Sequence, residues 1–253
     1  MTIQRSSHVA SVLLLQQRGI KIGSILELGA AEGGFLSYRQ TLGLYPEAPV
    51  LLVDCMAENE PLYQILCRRY ACDYEIAAIT NVDGEVEIAL DPQTYNTHVT
   101  TLQDRPEYGR RRVKAMTLDR LVAEHKPEPP YYIRLDLQGG ELDALRGGLA
   151  TLKDTAIITA ELQLYLDHGS FSEFLPFIER QGFVLYDLGD LGYAPNGGDL
   201  YQLYATFLRR DLDDRATREW ATPEQWSRVN QSLRQRRSQL EDLVRKMDVA
   251  AAD

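Results

Sequence analysis

Four short apolar runs, each stopped by a glycine or a carboxylate, constrain this chain more than any other feature. They are Ser24 to Leu28 before Gly29, Val50 to Val53 before Asp54, Tyr131 to Leu135 before Asp136, and Ala156 to Ala160 before Glu161. Such runs suit strands buried on both faces of a parallel sheet. Segments of helical spacing lie between them: Gly34 to Leu42, Glu58 to Tyr70, and Glu141 to Leu152 with a break near Gly147-Gly148. Strand and helix in alternation predict an α/β sheet with right-handed crossovers.

The remaining segments extend this pattern. A helix is expected from Ser7 to Arg18, closed by Gly19, and strands from Tyr74 to Ile79 and from Glu85 to Leu90. Asp91 to Lys114 carries no strong period and reads as loop and lid, followed by a short helix from Met116 to Glu124. A helix from Phe171 to Gln181 precedes two strands, Phe183 to Leu188 and Leu200 to Leu208. The Gly-rich turn between them makes an antiparallel hairpin at the sheet edge. Thr222-Pro223-Glu224-Gln225 is a capped helix start. Trp226, Val229, Leu233, Leu240, Leu243 and Met247 then recur at steps of three and four, with Arg236 interrupting the stripe. The expected organisation is a sheet domain over residues 1–210 and a helical extension over 211–253. The extension either clamps the domain or pairs with a copy of itself as a homodimer.

Charge and cysteine content narrow the function classes. A net charge of −10 over 253 residues disfavours nucleic acid and anionic lipid as partners. Arg110-Arg111-Arg112 reads as a solvated loop. Three cysteines, Cys55, Cys67 and Cys72, do not suggest a disulfide framework, and each reads as a small buried apolar residue. The apolar run near Val12 is too short for a signal or a span, so a cytoplasmic location without membrane contact is expected.

The chemistry concentrates in Glu27-Leu28-Gly29-Ala30-Ala31-Glu32-Gly33-Gly34, a strand-to-helix loop of small residues that lets backbone approach a ligand. Asp54 follows Gly33 by 21 residues, the place of an acid that accepts hydrogen bonds from ribose hydroxyls. Glu27 and Glu32 would repel a pyrophosphate. They suit the ammonium and sulfonium of S-adenosylmethionine, which is therefore favoured over NAD. Asp136 and Glu161, at strand carboxyl ends, are expected to meet across the site.

These segments resemble the FkbM-type methyltransferases over roughly residues 24–208. The family's glycine motif matches Glu27 to Gly33, with Ala31 in place of the usual Asn. Its acid after the second strand matches Asp54-Cys55, with Cys55 in place of Pro. Its Thr-Leu-Asp element appears as Thr117-Leu118-Asp119. Its long signature matches Arg134 through Gly147, and its later strand ending in Glu matches Ala160-Glu161. The resemblance implies a Rossmann-like class I methyltransferase fold with O-methylation of hydroxyls on sugars or natural products. The expected cofactor contacts are Glu27, Gly29, Ala30, Glu32, Gly33, Phe35, Asp54, Cys55, Ala78 and Asp136.

An aliphatic hydroxyl has a pKa near water's, about 15.7. Full ionisation at pH 7 would cost about 12 kcal/mol at ~1.36 kcal/mol per unit. Transfer therefore needs a general base or a metal. Asp136 and Glu161 are the expected catalytic pair. They are also the expected ligands if Mg²⁺ is used, with Gln163 as an added oxygen. His98, in the expected lid, is a second base, and His8, His125 and His168 have weaker claims. Two other readings stand beside this one: an NAD-dependent oxidoreductase, and a catalytically inactive cofactor-binding or scaffolding module.

Overall fold

The computed structural model describes residues 7–33, 36, 42–90, 98–99, 109–164, 171–219 and 221–250. The described chain forms two compact units, Met1–Leu212 and Asp213–Asp253.

In the first unit, helix α1 (His8–Gln17) starts at Ser7, whose side chain accepts a hydrogen bond from the Val9 N–H. This cap satisfies one of the helix's otherwise unpaired first-turn donors. Strands β1 (Ser24–Leu28) and β2 (Val50–Asp54) follow, then helix α2 (Glu60–Arg69), β3 (Cys72–Ile76) and β4 (Ala78–Thr80). Next come β5 (Gly84–Leu90), β6 (His98–Val99), β7 (Gly109–Thr117), helix α3 (Leu118–His125), β8 (Tyr131–Leu135), helix α4 (Glu141–Arg146) and β9 (Thr155–Gln163). Helix α5 (Phe171–Arg180), β10 (Phe183–Tyr193) and β11 (Leu200–Arg209) complete the unit.

Seven strands form the main sheet in the order β10-β11-β9-β8-β1-β2-β3. The pairs among β9, β8, β1, β2 and β3 are parallel. β11 runs antiparallel to both β9 and β10. This is the Rossmann-like arrangement with an antiparallel hairpin at one edge. The apolar runs fill the centre: all five residues of β1 and all nine of β9 are buried. One core, including Leu28, Ile133 and Phe207, receives α3, α4 and α5. The other, including Ile25 and Tyr132, receives Val9, Val12 and Leu15 of α1.

Three expectations change. Residues 109–114 are strand, not lid: β7 pairs along its length with β5 in a second sheet of order β4-β7-β5-β6. The strand lacks apolar alternation there because its outer side chains are cations. Arg110 meets Glu87, Arg111 meets Glu58 and Arg112 meets Glu85. Arg110 and Arg112 meet carboxylates of the paired strand β5, while Arg111, on the other face, meets Glu58 in the turn before α2, so the run is neutralised from both sides. The expected strand from Tyr74 to Ile79 divides into β3 and β4 where the Ala77 N–H turns to the Asp54 carbonyl. Cys67 and Cys72 are joined by a disulfide, and only Cys55 is a free thiol. An odd count concealed this short link between a helix end and the next strand.

Most of the expected helix from Gly34 to Leu42 lies outside the described residues. The second unit contains helix α6 (Pro223–Ala250), 28 residues and about 42 Å long. Thr222 and Gln225 cap it reciprocally: the Thr222 N–H donates to Gln225 Oε1, and the Gln225 N–H to Thr222 Oγ1. Trp226, Val229, Leu233, Leu240 and Leu243 are exposed. Among the described residues no helix is long and apolar enough to cross a membrane.

Asp119 ties the start of α3 to the turn that follows α4. Its carboxylate accepts hydrogen bonds from the Ala150 N–H, the Thr151 N–H and the Thr151 hydroxyl. Asp119→Ala should therefore lower stability by about 2–3 kcal/mol, since it orphans donors that had a charged acceptor. Urea unfolding should show a lower midpoint with an unchanged slope.

Candidate functional site

The sheet register places one row of residues along the carboxyl ends of its strands. Leu28 pairs with Leu135, and Leu135 with Ala160, so Gly29, Asp136 and Glu161 stand side by side. Glu161 pairs with Tyr204, and Tyr204 with Gly189. Gly29 must lack a side chain: with φ +82°, a Cβ there would lie 1.9 Å from the Asp136 carbonyl oxygen. Glycine thus sets the separation between the β1 loop and the β8 loop.

The row's two carboxyl groups are enclosed by donors. Asp136 Oδ2 accepts from the Tyr204 hydroxyl at 2.6 Å and from Arg134 Nη2 at 3.1 Å. Gln138 Nε2 donates to Asp136 Oδ1 at 2.9 Å and to Glu161 Oε2 at 3.0 Å. Gln202 Nε2 donates to Glu161 Oε1 at 2.6 Å. Gln163 Nε2 in turn donates to Gln138 Oε1 at 3.2 Å. Burial, and then the charge and hydrogen bonding of Asp136, push the Glu161 carboxyl up to about 8. At neutral pH the pair accordingly holds a proton.

This arrangement does not fit a divalent cation. Every carboxylate oxygen of Asp136 and Glu161 faces an N–H or O–H donor, and the Arg134 charge stands beside them. A cation needs oxygen lone pairs aimed at one point. Among the described residues no group of three or more His, Cys, Asp or Glu could hold a metal ion. The expectation of Asp136 and Glu161 as metal ligands is set aside on this geometry.

The glycine loop is held by Asp54. Its Oδ2 accepts from the Ala31 N–H and its Oδ1 from the Met56 N–H, both at 2.8 Å. The Tyr63 hydroxyl donates to the Ala31 carbonyl at 2.6 Å. Ala31 has φ +44°, a left-handed conformation unusual for a residue with a side chain. Clamping both its N–H and its C=O keeps it there. Burial raises the Asp54 carboxyl above its ordinary value, opposed by these backbone hydrogen bonds. Burial, and then the Asp54 charge, push the Cys55 thiol up to about 12.

The other expected contacts are distributed as follows. Glu27 is fully buried, with Oε1 3.5 Å from Arg134 Nη1. The Gly29 and Ala30 N–H groups donate to the Val53 carbonyl, and the Gly33 N–H to the Ala30 carbonyl. Glu32 is exposed. Ala78 opens β4, next to Ala77, whose N–H meets the Asp54 carbonyl. Phe35 and His168 lie outside the described residues. The His98 backbone belongs to β6, paired with Ala89 in the second sheet. His125 is spent on structure, bridging Asp73 and Glu75.

Sequence reasoning missed several residues at the row, Tyr204, Gln202 and the bridging role of Gln138; it gave His8 only a weaker claim as a base and did not foresee its partner Asp190. The period-two spacing of Glu161 with Gln163, and of Gln202 with Tyr204, was the available signal. Directly paired strands place these four on one face.

The family profile described as "Methyltransferase FkbM domain" matches residues 47–185, just over half of the chain. The chain belongs to the FkbM methyltransferase family. An FkbM methyltransferase from Methylobacillus flagellatus KT matches at 14% identity and TM-score 0.47, over 80% of this chain and 48% of that one. This chain therefore spans about half the length of that relative. Magnesium protoporphyrin IX methyltransferase from Synechocystis PCC 6803, with S-adenosylmethionine bound, matches at 11% identity and TM-score 0.45, over 79% and 77%. Fibrillarin from Aeropyrum pernix, also with S-adenosylmethionine bound, matches at 13% identity and TM-score 0.44, over 78% and 73%. No curated protein matches the chain significantly. The FkbM assignment rests on the matched domain.

The site's protonation has a measurable consequence for this FkbM domain. Burial raises Glu141 to about 7, against hydrogen bonds from backbone N–H groups including Leu137 and Gly139. Glu161 is raised to about 8. A carboxyl raised in the folded state supports folding below its unfolded value of about 4.5, and that support is lost as pH rises through the folded value. Stability should thus fall between about pH 4.5 and 8 from these two groups. Glu161→Gln should flatten the slope, leaving the part due to Glu141. An unchanged slope in melting temperature against pH would show that Glu161 is ionised in the native state.

Proposed function

We propose that this FkbM domain is an S-adenosylmethionine-dependent O-methyltransferase acting on an uncharged hydroxyl of a sugar-like or natural-product acceptor. The observation that carries this reading is the acidic cradle at the strand ends, from Glu27 and Asp54 to Asp136. A carboxylate offers about four acceptor sites. Asp54 uses two on backbone N–H groups and a third on the Asn59 side chain, and the remaining one is open to a ribose hydroxyl. Arg134 is engaged by Glu27 and Asp136, so the cradle stays acidic toward a ligand carrying ammonium and sulfonium groups. The donor set therefore fits this cofactor. When bound, it supplies an electrophilic methyl group.

The chain's own residues would do the rest. Asp136, oriented by Arg134, Tyr204 and Gln138, stands at the centre of the row and accepts the acceptor hydroxyl's proton. Glu161, carrying its proton, lowers the repulsion that a second charged carboxylate would exert on Asp136. Gln163 and Gln202 present amides beside the pair, suited to neutral hydroxyls. The same acidity disfavours phosphorylated acceptors and nucleic acid.

The test is binding. S-adenosylhomocysteine should raise the melting temperature and NAD should not. Asp54→Ala should weaken S-adenosylhomocysteine roughly ten- to a hundredfold, the loss of charge-assisted hydrogen bonds at about 1.5–3 kcal/mol. Equal affinity by calorimetry would remove Asp54 from the ribose site.

Residues 1–210 are proposed as the catalytic domain and 211–253 as an extension that self-associates through α6. The support is spacing: Trp226, Val229, Leu233, Leu240, Leu243 and Met247 fit the a and d places of a heptad. Light scattering of the full chain should give a dimer at micromolar concentration. A monomer there would end the proposal.

A further inference from the structure

Helix α1 begins against the hairpin that carries Tyr204. The Asp190 carboxylate accepts from the His8 backbone N–H at 2.7 Å and also meets the His8 ring through Nδ1. Both contacts use the same oxygen, so Asp190 fixes the backbone and the ring of His8 together. Asp190 has φ +47°, a strained conformation for a residue with a side chain. The residue before it is Gly189, where a Cβ would fall 2.8 Å from the Ser7 carbonyl carbon and 2.9 Å from the His8 nitrogen. Two special backbone positions in succession thus admit the start of α1 and aim a carboxylate at its first residue.

The His8 ring then lies flat on Tyr204, with centroids 4.2 Å apart and planes within 16°. Tyr204 also carries the Arg134 guanidinium over its ring at 5.4 Å. Its hydroxyl accepts from Arg134 Nη2 at 2.9 Å and donates to Asp136. The order of contact is Asp190, His8, Tyr204, Asp136.

We propose that His8 and Asp190 are positioning residues of the reacting centre, which pin the Tyr204 ring and so fix the hydroxyl that orients Asp136. This rests on the reading that Asp136 faces the transferring methyl group. A packing contact alone would not require Asp190 to hold two atoms of one residue, nor the ring to lie parallel to Tyr204. The hydroxyl oxygen lies on the ring's own axis, so what the stacked imidazole restricts is tilting of the ring toward that face, which would carry the hydroxyl away from Asp136. The carboxylate is then preset before any ligand arrives.

Proton NMR tests this without an acceptor. The wild type should show a slowly exchanging, downfield hydroxyl proton that disappears in Tyr204→Phe. Asp190→Asn, which retains an oxygen acceptor for His8, should keep it. His8→Ala and Asp190→Ala should lose it, and should bind S-adenosylhomocysteine roughly three- to tenfold more weakly. An unchanged hydroxyl signal in both alanine variants overturns the proposal. If those variants do not fold, the wild type decides. A slowly exchanging Tyr204 hydroxyl proton in the wild type at 25 °C supports pinning, and its absence overturns it. A wild type that binds no S-adenosylhomocysteine counts against the methyltransferase reading, while the hydroxyl signal still decides this one.

Discussion

Two carboxyl groups on adjacent parallel strands cannot both be charged at short range without strong compensation. At the Asp136–Glu161 pair the compensation is local and complete. One proton resides on the pair, one amide bridges it, and a guanidinium and a phenol hold its outer oxygen. Most of what surrounds the pair serves that requirement. Gln138 takes a left-handed φ of +53° to reach both carboxyls. Glu141, buried beneath them, gathers the Leu137 and Gly139 N–H groups that this bend would leave unpaired. The acidic signature between Asp136 and Glu141 is thus a turn shaped around a repulsion.

The sheet was legible in the sequence because burial on both faces leaves continuous apolar runs. β1, β2, β8 and β9 were placed within a residue or so at most ends, and the β10–β11 hairpin was marked by its turn. β7 was not legible, since its exposed positions carry paired charges that show no apolar period. The disulfide was hidden for a different reason: counting cysteines says nothing about a link spanning five residues.

The site was half legible. Asp54, Asp136 and Glu161 end strands, and strand ends are readable. Their neighbours come from other parts of the chain, and only register shows who stands beside whom. Tyr204 and Gln202 lie on an antiparallel strand inserted after the parallel part of the sheet is finished. His8 lies before the sheet begins. Asp54 carries a further lesson. Its spacing from the glycine loop announced a ligand contact, yet its visible work is to clamp the strained Ala31 peptide.

The contact between His8 and Asp190 spans 182 positions. During synthesis, α1 emerges before the sheet and must wait for nearly all of it before its partner exists. Closing so long a loop carries an entropy cost that grows slowly with length, but it is met only when the late strands arrive. The two ends of the sheet unit can therefore meet only after β10 has been made. Asp136 receives its full set of partners only in a molecule translated through β11, so a truncated product would carry the early half of the site with its central carboxylate unset.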